Sequence, residues 1–136
     1  MEAMRAAYDE VYLYTMGRPG FILQHVVDAF AVQTADANSK PIAVAFGLVG
    51  LYLRVEKQFS GRQVQLAHMA LGRRKRDWPA MHLPDDRGDM TIADVLAAPA
   101  GPERDLAIDN WCRSLWTACG GNRPAVLALL REYQIA

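Results

Sequence analysis

The stretch Ile42-Ala-Val-Ala-Phe-Gly-Leu-Val-Gly-Leu-Tyr-Leu53 decides the fold of this chain. It is apolar nearly all round a helix, and Arg54 follows it directly. A helix that is apolar on every side is buried in a protein core or in a membrane. The 12 residues fall well short of the roughly 20 that a membrane span needs. We therefore predict a buried central helix that continues to about Gln58.

Small residues recur along this helix at Ala43, Gly47 and Gly50. Glycine inside a helix costs up to about 1 kcal/mol relative to alanine. Two glycines on one face therefore indicate a neighbouring helix that approaches closely enough to offset this loss. The same groove is also a candidate surface for a second copy of the chain or for another protein.

The remaining segments also follow a helical spacing of apolar residues, and none shows the alternation of a β-strand. Helix-start signals occur at Asn38 or Ser39, at Ser60 with Gln63, at Thr91 with Asp94, and at Asn122. The predicted helices cover residues 2–16, 21–34, about 40–58, 60–72, 91–98, 102–119 and 123–134. The sequence thus predicts an all-α fold, a single helical domain over 1–136, with five long helices plus one or two short ones.

Composition excludes several classes of protein. The chain has 15 basic and 15 acidic residues in 136, so no overall field favours nucleic acid or an anionic membrane. The basic run Arg73–Arg76 complements the dipole of the helix that it ends.

Cys112 and Cys119 lie seven residues apart, about 10 Å along a helix, which is too far for a disulfide. We expect two reduced thiols, with at least Cys112 largely buried, and a cytoplasmic protein with no membrane or nucleic-acid partner.

The candidate site begins in Phe21-Ile-Leu-Gln-His-Val-Val-Asp-Ala-Phe-Ala-Val-Gln33. His25 and Asp28 are three residues apart and share one face of this helix. A carboxylate beside an imidazole fixes its tautomer and raises its basicity, which metal ligands and general bases both exploit. The alternative is that both residues line a polar seam between helices.

Glu56 and His68 extend the candidate polar cluster to four residues: His25, Asp28, Glu56 and His68. Two histidines and two carboxylates between helices would suit a transition metal. However, the chain has no Glu-x-x-His, His-x-x-x-His or Cys-x-x-Cys motif. We therefore predict no metal and no cofactor, and we assign no catalytic residue.

Several blocks of the chain resemble a family of small bacterial helical proteins known only as a domain of unknown function. Two of these blocks lie in the first half of the chain, His25-x-Val-Asp28-Ala-Phe-Ala-x-Gln33 and Gly50-Leu-Tyr-Leu-Arg-Val-Glu56. A third is Trp78-Pro79 followed by Gly88-Asp-Met-Thr-Ile-Ala-Asp-Val95. The last is Asn110-Trp111-Cys-Arg-Ser-Leu-Trp116. The resemblance implies that His25, Asp28, Gln33, Glu56, Trp78 and Trp111 are the residues of interest. Many members also have a paired-cysteine segment suited to zinc and a histidine after the glutamine. This chain has neither, with Thr34 at the second position.

Two hypotheses for function follow. The first is a compact bundle that acts as a protein-interaction or self-associating module, with a second copy or another protein as its partner. The second is a small-molecule- or metal-binding protein, or an enzyme, that uses the His/Asp/Glu cluster between helices. The geometry of the cluster discriminates between them, because convergence favours the second and dispersal favours the first.

Overall fold

A computed structural model describes residues 2–73 and 77–135, and these residues are helical without any β-strand. Five helices have 12 to 17 residues, and α5 and α7 have 6 and 10. The helices are α1 Glu2–Met16, α2 Leu23–Thr34, α3 Pro41–Val55, α4 Gly61–Gly72, α5 Ile92–Ala97, α6 Pro102–Ala118 and α7 Arg123–Glu132. Short 3₁₀ turns at Pro19–Phe21 and Gly120–Asn122 precede α2 and α7. The predicted all-α fold is confirmed.

Helix α3 is the centre of the bundle. Nine of its 15 residues are buried, more than in any other helix of the described residues. Helices α2, α4, α6 and α7 all pack against it, while α1 packs against α2 and α5. Burial on all sides explains why 42–53 lacks a polar face until Arg54, and it confirms the predicted central helix. The helix ends at Val55, three residues before the predicted end.

The glycines of α3 admit α2 at short range. A Cβ atom at Gly47 would lie 2.9 Å from Cγ2 of Val32 and 3.3 Å from the carbonyl oxygen of Asp28. Both Gly47 and Gly50 are buried, whereas Ala43 is exposed. The predicted close neighbour is therefore α2 of the same chain. Because α2 occupies the groove, it is not open to a partner.

Two of the four predicted helix caps are confirmed. Ser60 with Gln63 opens α4, and Thr91 with Asp94 opens α5, each as a reciprocal capping box. The cap predicted for α3 is wrong, because α3 starts after Lys40 without a side-chain cap. The Ser39 hydroxyl instead accepts a hydrogen bond from the backbone nitrogen of Asp36, which stabilises the preceding turn.

Asn122 makes a different contact from the predicted cap of α7. Its side chain accepts a hydrogen bond from the His82 nitrogen at 2.8 Å and donates to the His82 carbonyl at 2.7 Å. It thus fastens the loop 77–90 to the bundle. Trp78 adds to this attachment, since its ring lies 5.1 Å from Phe46 and 6.4 Å from Tyr133. Of the basic run, residues 74–76 lie outside the described residues.

Neither cysteine forms a disulfide, and both are buried, Cys112 within α6 and Cys119 directly after its end. The prediction of two reduced cysteines with Cys112 buried agrees with this placement. Burial raises the pKa of the Cys112 thiol, and Asp109 and Asp28 add to the effect. A thiol reacts as its thiolate, so we expect Cys112 and Cys119 to be labelled by a disulfide reagent far more slowly in the native protein than in denaturant. Rapid labelling of both thiols in the native protein would contradict this placement.

Candidate functional site

His25 and Asp28 both lie on the inward face of α2. Their exposed fractions are 2% and 3%. This face is buried because α2 packs against α3 and α6, and the three-residue spacing places both side chains on it. The sequence therefore predicted their burial correctly. No hydrogen bond joins the two side chains, however, because both ring nitrogens of His25 lack a partner in the part of the chain that the structure describes.

The Gln24 amide joins Asp28 to His68 of α4. Its nitrogen donates to Oδ1 of Asp28 at 3.1 Å and lies 3.4 Å from Nδ1 of His68. The other ring nitrogen of His68, Nε2, lies 2.9 Å from the carbonyl oxygen of Phe46. Because that carbonyl can only accept, Nε2 carries the proton and Nδ1 accepts from Gln24. We predicted from the sequence that His68 belongs to the cluster, but we predicted no role for Gln24. The four-residue spacing between Gln24 and Asp28 indicates that their side chains can meet on one face of α2.

Several buried polar atoms of this region lack a hydrogen-bond partner among the described residues. They are Nδ1 and Nε2 of His25, Oδ2 of Asp28 and Nε1 of Trp111. Each such atom costs about 1–3 kcal/mol, since folding removes it from water without replacing the bond. Such atoms are rare in native proteins and need an explanation.

Gly50 of α3 makes room for the Asp28 carboxylate. A Cβ atom at position 50 would lie 1.9 Å from Oδ2 and 2.4 Å from Cγ of Asp28. Bare backbone therefore forms one wall of the cluster. The chain thus combines two features that cost stability, a glycine inside a helix and a buried carboxylate.

Burial dominates the electrostatics of the cluster. Burial raises the pKa of Asp28 well above its usual value, and the Gln24 hydrogen bond only partly opposes it. Burial, with the nearby Arg54 guanidinium, lowers the pKa of His25 to about 3. Burial also lowers the pKa of His68, against the effect of the Phe46 carbonyl. Both imidazoles are thus neutral at pH 7, and the His68 ring, 3.9 Å from Oδ1 of Asp28, is not a cationic partner for it.

Glu56 does not belong to this cluster, contrary to the prediction. Its carboxylate accepts hydrogen bonds from Arg123 at 2.9–3.1 Å and from Trp116 at 2.8 Å. These hydrogen bonds lower the pKa of Glu56, and the bond from Arg123 has the largest effect. Glu56 follows Gly50 by six residues, which carries it roughly 9 Å along the helix and about 240° around it. Its hydrogen bonds consequently tie the end of α3 to α6 and α7, and none of them goes to the cluster.

Metal coordination has no support in the described residues, because no group of three or more His, Cys, Asp or Glu side chains is arranged to hold an ion. His68 uses Nε2 for the Phe46 carbonyl and Nδ1 for Gln24. The described side chains of the cluster are therefore connected by hydrogen bonds through Gln24 and His68.

Gln33, which the family resemblance also singled out, holds α2 to the loop before α5. Its amide donates to the carbonyl of Met90 and accepts from the nitrogen of Ile92, each at 3.3 Å. Arg87 supports the same junction, because its guanidinium donates to the carbonyls of Val32 and Ala35 at 2.8 and 2.6 Å. These contacts are structural and lie apart from the cluster.

Comparison with known proteins relates these features to a family. The model of a family of unknown function, DUF5946, matches residues 5–120. The chain belongs to this family. The match covers most of α1 and all of α2 to α6, it includes every member of the cluster, and it supplies no activity. A search of curated proteins found no match, and a search of solved structures found none.

Within the described residues, no helix is long and apolar enough to cross a membrane. Thr34 takes the position at which the family resemblance implied a histidine. Its hydroxyl donates to the Phe30 carbonyl at 2.7 Å, within its own helix.

Proposed function

We propose that this protein binds a small polar ligand through the cluster of Gln24, His25, Asp28 and His68. One observation carries the proposal: the carboxylate of Asp28 is buried against the backbone of Gly50 with Oδ2 unpartnered. A buried carboxylate normally has a cation or several donors around it. Here a single amide donates to it among the described residues.

A purely structural role does not account for this arrangement. An apolar residue at position 28 and alanine at position 50 would fill the same junction without a buried carboxyl group or a helical glycine. Residues that cost stability are typical of functional sites, where activity rather than packing maintains them. His25, with two unpartnered ring nitrogens beside the same helix junction, strengthens this argument.

The chemistry of the free atoms indicates the ligand. As a carboxylate, Asp28 offers the unpartnered Oδ2 as an acceptor, and the neutral His25 ring offers one donor and one acceptor. A small organic ammonium or another N–H donor would satisfy the carboxylate and compensate its charge. Entry requires movement of Gln24 and His68, which cover Asp28 from the α4 side, where the His68 side chain is 13% exposed.

A titration followed by NMR tests this proposal. We expect methylammonium to shift the backbone amides of residues 24–28, 50 and 68 in a saturable manner, and Asp28→Asn to abolish the shifts. Glu56→Gln is the matched control, because it removes a carboxylate outside the cluster and should leave the shifts intact. Zinc is a second probe, which tests for a metal site that forms only on binding. Absence of saturable shifts with both probes, or shifts that survive Asp28→Asn, would contradict the proposal.

A second candidate function, a self-associating or protein-binding module, rests on exposed apolar side chains. Leu13 and Met16 lie one turn apart on α1 and are 66% and 62% exposed, and Leu66 and Met69 on α4 are 51% and 54% exposed. We propose a second copy as the partner and the cytoplasm as the location. Sedimentation over a range of concentrations tests self-association. A dimer that Leu13→Ser and Met16→Ser disrupt would support it, and a monomer at every concentration would exclude it.

A further inference from the structure

We propose that the cleft between the end of α3 and the middle of α6 binds a small oxyanion, either a carboxylate or a phosphate group. The cleft measures about 290 Å³ and is lined by Arg54, Val55, Gln58, Asp109 and Arg113. This inference is independent of the function proposed above, because it uses none of the residues of the buried cluster.

The cleft contains two arginines and one aspartate, so one arginine, Arg113, has no carboxylate partner within it. Arg54 donates from Nε and Nη2 to the two oxygens of Asp109 at 2.9 and 3.0 Å, and from Nη1 to the Phe59 carbonyl at 3.1 Å. This pair is neutral and fully engaged. Arg113 stands one turn beyond Asp109 on α6, and it has no carboxylate partner among the described residues. Its one hydrogen bond there is a long contact of 3.4 Å to Oδ1 of Asn110.

Arg113 is exposed, and a guanidinium without a carboxylate partner at the edge of a cleft is well matched to an oxyanion. Its parallel N–H groups donate to two oxygens of a carboxylate or phosphate at once. The hydrogen-bonded Arg54–Asp109 pair lines the same cleft. An anion placed there completes the charge balance of three ionised side chains.

Gln58 supplies the second donor. It has a φ of +56°, a left-handed conformation that glycine adopts at little cost and other residues adopt rarely. Glycine is the usual left-handed residue after a helix, so a glutamine here retains its side chain at the expense of backbone strain. Gln58 lines the cleft together with Arg113. A side chain maintained in a strained position beside a free cation indicates a contact with a ligand.

The surroundings limit the size of the anion. Arg113 also borders a neighbouring cleft, which Asp86 and Asp89 line. Their carboxylates would repel an extended polyanion that runs along α6. The site therefore fits one compact oxyanion rather than a nucleic acid.

NMR titration of the full chain with inorganic phosphate, and separately with acetate, tests this site. We expect saturable shifts at residues 54–58 and 109–113 with at least one of the two anions. Saturation with phosphate alone identifies a phosphate ligand, and saturation with acetate alone identifies a carboxylate. Arg113→Gln should weaken binding about tenfold. Arg62→Gln, which removes an exposed arginine from α4, is the control and should bind like the wild type.

Gln58→Gly separates ligand contact from structure. Because glycine relieves the left-handed strain, this variant should have a higher melting temperature and yet bind the anion several-fold more weakly. Three outcomes would overturn the proposal: no saturable shifts with either anion, equal losses for Arg62→Gln and Arg113→Gln, or unchanged binding in Gln58→Gly.

Discussion

Replacing Gly50 with alanine is expected to lower the free energy of unfolding by about 1–3 kcal/mol. The new Cβ atom would lie 1.9 Å from Oδ2 of Asp28, so the carboxylate has to leave its place. Alanine also favours the helix over glycine by up to about 1 kcal/mol, which acts in the opposite direction. Because the carboxylate is buried and has little room to move, we expect the clash to prevail. Chemical denaturation measures the difference.

A double-mutant cycle identifies the cause of this loss. In an Asp28→Ala background the oxygens are absent, and the nearest remaining atom is Cβ of residue 28 at 3.1 Å. Gly50→Ala should then cost less than half as much as in the wild type. Gly72→Ala is the control, because among the described residues its Cβ would meet nothing nearer than Phe46 at 4.0 Å. Equal costs in both backgrounds would show that Asp28 does not occupy the space above Gly50.

Acidification from pH 6.5 toward pH 3 is expected to destabilise the protein, with His25 as a major contributor. Its pKa falls from 6.5 to about 3 on folding, first through burial and then through Arg54. Between these two pH values the His25 imidazole is protonated in the unfolded chain and remains neutral in the folded chain. The contribution of His25 to stability is therefore lost as the pH falls, at up to about 1.4 kcal/mol per pH unit. His68, whose pKa is also lowered, acts in the same direction.

Asp28 opposes this effect. Its pKa is raised in the folded state, so its contribution to stability is full at low pH and is lost as the pH rises. His25→Gln should consequently flatten the dependence of unfolding free energy on pH below 6.5, and Asp28→Asn should steepen it. Denaturation of the three proteins at several pH values measures the slopes. Identical slopes for wild type and His25→Gln would contradict the buried, neutral His25.

The fold was predictable from local patterns because its main determinants are local. The apolar stretch 42–53 could only be a buried helix, and Gly47 with Gly50 indicated a close neighbour. The capping boxes at Ser60 and Thr91 lie within four residues and do not depend on the rest of the chain. The cap predicted for Asn122 failed because tertiary packing brings the backbone of His82 within reach.

The site was predictable only in part. Spacing on α2 placed His25 and Asp28 together, and the apolar stripe of α4 directed His68 inward. Glu56 was misplaced because its distance from Asp28 depends on which part of α3 crosses α2, and this crossing occurs at Gly47 and Gly50. The unpartnered atoms of His25 and Asp28 depend on every neighbouring side chain, so no local pattern predicts them.

The most direct test of the central claim, that Asp28 and His25 serve binding rather than packing, is the free energy of unfolding of Asp28→Asn and His25→Gln at pH 8. Residues maintained for function at a cost in stability should leave it unchanged or increase it when they are replaced. We therefore predict that both variants are at least as stable as the wild type. A loss of about 1–3 kcal/mol in each variant would show that the cluster is a structural part of the core and would contradict the account.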